Sequence, residues 1–207
     1  MKSRIENTLG PEAFLNDTYS SVYDPVIKAA REIDTWVVTD MYYAGWRKFL
    51  KLFEEGGYDK KHKDFGNGYL YYKNDMEYPS NIDPTLDLHT FINFQLQNVP
   101  INVGDFKKAW GVKYPPGGYS ALHCHKPGKQ LTAILFLDDC RKTTEYPLAG
   151  TLTTLQPCED SVINYVQHPV YAGGMVIMDG KVFHGTYPTL DERRVFVVDF
   201  EYEGKLS

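Results

Sequence analysis

The chain has 207 residues, 43% of them hydrophobic and 24% charged, which is enough apolar material to bury one sizeable core. Its formal net charge is -5 and no long Lys/Arg run occurs, so it lacks the electrostatic footprint of a general nucleic-acid binder. No apolar run reaches the roughly 20 residues that span a bilayer.

The opening MKSRIENTLG has no apolar core of the kind a signal peptide carries. Three cysteines, Cys124, Cys140 and Cys158, cannot all pair with one another, and their spacing matches no zinc motif. The expectation is a soluble cytoplasmic protein with reduced thiols. It is expected to act as one domain over 1–207, with helical support over about 1–100 and a β core over about 105–203.

In chain order, Asp24-Pro25 is a helix start signal, and Val26, Ala30, Ile33 and Val37 then recur at helical spacing. Trp46, Phe49, Leu50 and Phe53 predict a second helix, stopped by Gly56-Gly57. From Tyr58 to Pro84 the chain is polar, aromatic and rich in Gly, Asn and Asp. It reads as a long loop and a candidate lid, with a short strand at Gly68–Lys73. Leu88, Phe91, Ile92 and Leu96 predict a third helix, ending before Pro100. The second half then changes character. Strand-forming runs at Ala109–Tyr114, Tyr119–His125, Leu131–Leu137, Gly150–Leu155, Gly174–Met178 and Arg194–Tyr202 are divided by Gly-, Pro- and Asp-rich turns. Helices first and short strands later predict an α+β domain, its helices packed outside a β sandwich or barrel.

Of six histidines, two form His123-Cys124-His125 in a predicted strand. Residues two apart on a strand face the same way, so these imidazoles make a natural pair of metal ligands. Cys124 faces away and reads as a packed thiol. His184 follows a strongly apolar strand and the turn Asp179-Gly180, and is the third candidate. Three imidazoles leave about three open positions on an octahedral iron, room for a bidentate co-substrate and O2, where a closed zinc site would need a fourth ligand. Arg193-Arg194 opens the last predicted strand, and only one of the two can point inward. Inside a β core a guanidinium needs an anion; on the surface, Asp191 and Glu192 would neutralise the pair. Tyr114 is either a core tyrosine or a hydroxyl aimed at a bound carboxylate. His62, His89 and His168 read as structural or surface residues.

The stretch Tyr114-Pro115-Pro116-Gly117-Gly118-Tyr119-Ser120-Ala121-Leu122-His123-Cys124-His125 resembles the prolyl-hydroxylase-like branch of the 2-oxoglutarate and Fe(II)-dependent dioxygenases. There a Y-P-G-rich turn leads to G-Y-x-x-H-x-D. Leu131–Asp138 looks like that family's next core strand, and Gly150-Thr151-Leu152 like its G-G-x-L segment. Gly174–Met178, His184 and Arg194-Val195-Phe196-Val197-Val198 resemble its closing pattern, in which a basic residue follows the ligand histidine by nine or ten positions. The resemblance runs from Trp110 to Tyr202. It implies a double-stranded β-helix, or jelly roll, with the N-terminal helices as outer support. It also implies Fe(II) on His123 and His184, with 2-oxoglutarate and O2 as small-molecule co-substrates. Arg194, preferred to Arg193 because the strand after it aligns better, would hold the distal carboxylate of 2-oxoglutarate, with Tyr114 as a further contact. The chain departs from the pattern at His125, where the family has Asp or Glu.

The same residues resemble the opening of a cupin motif, Gly117 followed after five residues by His123-x-His125, with Gln130 in place of its Glu. Three expectations follow. The first is a 2-oxoglutarate-dependent hydroxylase that releases succinate and CO2 and acts on a protein side chain, an amino acid or another small molecule. The second is a cupin-type metal-dependent dioxygenase that does not use 2-oxoglutarate, and the third a jelly roll that binds without catalysing. Fold alone does not choose among them.

Overall fold

A computed structural model describes residues 37–55, 70–71, 84–96, 101–125, 130–157 and 163–204. Two facing antiparallel sheets form the body. Among these residues, ten strands and two helices run in the order β1 (Val37–Tyr42), α1 (Trp46–Glu55), β2 (Leu70–Tyr71), α2 (Pro84–Gln95), β3 (Ile101–Tyr114), β4 (Ser120–His123), β5 (Gln130–Phe136), β6 (Leu152–Pro157), β7 (Ile163–His168), β8 (Gly174–Asp179), β9 (His184–Thr186) and β10 (Arg193–Gly204). The larger sheet has the order β1-β8-β5-β10-β3-β2 and the smaller β4-β9-β6-β7. Such crossing between two sheets is the jelly-roll arrangement. No helix among the described residues is long and apolar enough to cross a membrane.

Strands β5, β8 and β10 read as nearly unbroken apolar runs because both of their faces are buried. On the outer face, Leu131, Leu135, Ile177, Phe196, Val198 and Phe200 pack with Phe49 of α1 and Leu88 and Ile92 of α2. On the inner face, Ile134, Phe136, Val176, Val195 and Val197 join Val112, Tyr114 and Leu152 between the sheets. Side-chain alternation therefore divides β10 into a helix-facing set and an interior set. The interior set begins at Arg193 and reaches Asp199, and both are fully or almost fully buried.

Several boundaries differ from the sequence reading, each for a physical reason. Val37, placed by its spacing at the end of a helix, lies on β1 opposite Met178. Its β-branched neighbourhood completes a sheet edge, and that pairing overrides the helical spacing. The rest of that helical pattern lies outside the described residues, as do His62, Cys158 and nearly all of the loop from Tyr58 to Pro84. Strand β3 starts at Ile101, well before Ala109, and pairs with the last residues of β10. Asn102, Asp105, Phe106 and Lys107 there are exposed, so no buried apolar face marks the strand. Strands β7 and β9 were not anticipated. One is a sheet edge in which apolar and polar residues are mixed, and the other is only three residues long.

Candidate metal centre

Strands β4 and β9 lie side by side, with His123 directly opposite His184. The sequence reading put His123 and His125 on one uninterrupted strand. In the structure β4 ends at His123, and its register with β9 slips between Ser120 and His123. His125 lies two residues past the strand end, and its amide donates to Gly180 O at 2.8 Å. The imidazoles still converge. Ring centroids are 4.5 Å apart for His123–His184, 5.1 Å for His125–His184 and 5.8 Å for His123–His125. One donor atom from each lies within 4.8 Å of the other two.

The Nδ1 atom of each ring is held from behind. That of His123 is 2.8 Å from Ala121 O and that of His184 2.9 Å from Val182 O. That of His125 is 3.0 Å from Asp199 Oδ1 and 3.3 Å from Oδ2. Fixing Nδ1–H on an acceptor selects the tautomer whose Nε2 lone pair faces a cation. Burial, then the neighbouring His123 and His125, push the pKa of His184 well below the usual imidazole range. A neutral imidazole is the form a metal requires. The donor set fits a divalent transition ion with open positions.

Arg193 and Arg194 take opposite faces. Arg194 is partly exposed and grips Asp138 with two parallel contacts, Nε to Oδ2 at 2.9 Å and Nη2 to Oδ1 at 2.7 Å. Arg193 is 1% exposed. Its guanidinium carbon sits 4.6 Å over the Tyr114 ring, Nη1 donates to Gly150 O, and Cys140 Sγ is 4.0 Å from Nη1. Its Nε finds no partner, and no carboxylate among the described residues pairs with it. Tyr114 is 6% exposed; it lies opposite Arg193 in the β3–β10 ladder. Burial raises the Cys124 thiol pKa, and neither Cys124 nor Cys140 is in a disulfide.

His89 bridges α2 to β3 through Gly104 O at 3.1 Å. His168, read as structural or surface, is 3% exposed, with Nε2 2.8 Å from Thr154 Oγ1. Thr154 in turn lies opposite His184 on β9. Sequence reasoning missed Asp199, Thr132 and Trp110, all of which bear on His125. A lone carboxylate in the apolar run Val195-Phe196-Val197-Val198-Asp199-Phe200, in phase with Arg193, was the signal that could have found the first.

No protein-family model matches the chain, and no curated protein matches it in sequence. Solved structures match in fold. A prolyl-4-hydroxylase of Pseudomonas putida aligns with a TM-score of 0.57 at 17% identity, over 87% of this chain and 98% of that one. A prolyl hydroxylase from Trichoplax adhaerens, in complex with a peptide fragment of the hypoxia inducible factor oxygen degradation domain, gives 0.55 at 10% identity, over 90% and 93%. HygX from Streptomyces hygroscopicus, with nickel and 2-oxoglutarate bound, gives 0.52 at 12% identity, over 90% and 87%. The chain shares the jelly-roll fold of these solved structures.

Proposed function

We propose that the protein is a 2-oxoglutarate-dependent Fe(II) oxygenase in which His123, His125 and His184 hold the metal and Arg193 holds the distal carboxylate of 2-oxoglutarate. The observation that carries this reading is the buried guanidinium of Arg193. A buried charge without an ionic partner costs several kcal/mol, and a cation over an aromatic face recovers only about 2 kcal/mol. A dicarboxylate entering between the sheets would supply the missing anion. The clamp role thus passes from Arg194, whose fork is filled by Asp138, to Arg193 nine positions after His184.

Fe(II) with 2-oxoglutarate, when bound, supplies the oxidising chemistry, in which O2 and the oxoacid are converted to succinate, CO2 and an oxygen atom inserted into a C–H bond. The chain's own residues orient and exclude. Arg193 and Tyr114 would fix one end of the co-substrate. Val112, Val195, Val197 and Phe136 line the interior between Arg193 and Asp199 and keep water from it. The two lie six positions apart on β10, roughly 20 Å of extended strand. Hydroxylation of a protein side chain, an amino acid or another small molecule are all compatible with this chemistry.

One feature favours a second reading. Three neutral imidazoles, with no carboxylate among the described residues in the ligand set, suit a metal-dependent dioxygenase that binds its substrate's own carboxylate at Arg193 and uses no 2-oxoglutarate. Anaerobic calorimetric titration of 2-oxoglutarate into the Fe(II)-loaded protein separates the two. The first reading expects saturable binding that Arg193→Met weakens by about thirtyfold or more, the loss of about 2 kcal/mol expected when a buried charge pair loses one partner. Arg194→Met should stay within about twofold, since it removes only a partly exposed pair. Absence of binding at millimolar 2-oxoglutarate by protein that holds the metal would exclude it.

A further inference from the structure

His125 stands where the resembling family has a carboxylate, and a carboxylate lies directly behind it. Asp199 has no solvent exposure, and the His125 side chain is only 7% exposed. Asp199 and Thr132 are paired across β10 and β5. Thr132 Oγ1 donates to Asp199 Oδ1 at 2.8 Å and lies 3.0 Å from His125 Nδ1. Trp110, four positions before Tyr114 on the same face of β3, packs against the imidazole at 5.5 Å between centroids. The other two imidazoles rest on backbone carbonyls of residues two positions earlier, Ala121 and Val182. Of the three Nδ1 contacts made among the described residues, that of His125 is the one to a charged acceptor.

Resting on the metal-centre reading above, we propose that Asp199 is the positioning residue of His125, and that it returns to the metal, one imidazole further out, the negative charge missing from the ligand set. A carboxylate behind a ligand histidine orients the ring, selects the tautomer with Nε2 toward the cation, and makes that nitrogen a stronger donor. Thr132 holds the carboxylate beside the ring by donating to Oδ1. A purely structural role would leave Asp199 as a satisfied interior polar group whose loss lowers folding stability and nothing else. The positioning role makes two further demands. The metal must be held less tightly without Asp199, and Fe(III) must lose more stabilisation than Fe(II), because the higher charge benefits more from a nearby anion.

The experiment compares wild type, Asp199→Asn, Thr132→Val and His184→Ala. It measures anaerobic Fe(II) affinity by chelator competition, the Fe(III)/Fe(II) midpoint potential by spectroelectrochemistry, and the thermal unfolding of each metal-free protein. Asp199→Asn, which keeps shape and removes charge, is expected to weaken Fe(II) binding by about 10- to 100-fold and to raise the midpoint potential. Thr132→Val is expected to move both in the same direction by less. Wild-type affinity and potential in Asp199→Asn would overturn the inference and leave the centre intact. If Asp199→Asn does not fold, Thr132→Val decides on the same two readouts, and wild-type values there overturn it. If wild type takes up no metal, or His184→Ala binds it equally well, the metal-centre reading itself falls and this inference with it.

Discussion

Arg193 bears a cost that the fold does not need. It is among the largest fully buried side chains, and Nε is without a partner. Replacing a poorly compensated interior charge by an apolar side chain of similar length often stabilises a protein by about 1–4 kcal/mol. Arg193→Met is therefore expected to raise the urea midpoint of the metal-free protein while it abolishes tight 2-oxoglutarate binding. Opposite movements of stability and affinity identify a residue retained for its ligand. A fall in stability would mean that Tyr114 and Gly150 O already compensate the charge. Which arginine turns inward was not legible in the sequence, because the two adjacent residues differ only in strand phase, and that phase is set by pairing with β3. Arg193 lies opposite Tyr114 and Arg194 opposite Lys113. The histidines were legible because H-x-H and a later His-Gly are local patterns. The partners of His125 were not, since Asp199 lies 74 positions away.

At the scale of elements, the approach of β4 to β9 brings the first and third histidines together, and Gly185 permits it. A Cβ at Gly185 would sit 2.8 Å from Ser120 O and 3.1 Å from both Ala121 C and Leu122 N. These are backbone atoms and cannot swing aside. Gly185→Ala is expected to cost about 1–3 kcal/mol of stability, as overpacking does, and to weaken Fe(II) binding by pushing His123 away from His184. Chemical denaturation and chelator competition would check the two effects. Unchanged metal affinity would show that the register-shifted segment of β4 absorbs the methyl. That shift is also why the strand alternation read from Tyr119 to His125 did not survive folding. The two histidines meet through a register slip and a chain exit, features that carry no hydrophobic period. The fold class was legible because the doubly buried strands β5, β8 and β10 are long apolar runs. Strands β1, β7 and the start of β3 were not, because they lie at edges or run past the core, where burial leaves little imprint on sequence.

At the scale of the whole molecule, the centre joins parts of unequal firmness. His123 ends β4, which among the described strands lies at a sheet edge and pairs with β9 alone. His125 is anchored through Asp199 to β10, which is flanked on both sides by β3 and β5 in the interior of the larger sheet. Local opening is cheapest where backbone hydrogen bonds have fewest neighbours. An ion shared by the two would act as a rivet, fastening the loosest margin of one layer to the firmest seam of the other. Stripping it with a chelator should then speed amide deuteration of Ser120–His123 severalfold and leave Val195–Phe200 as slow as before. Equal acceleration in both segments would mean that the two layers loosen together, and that the cation braces the entire shell.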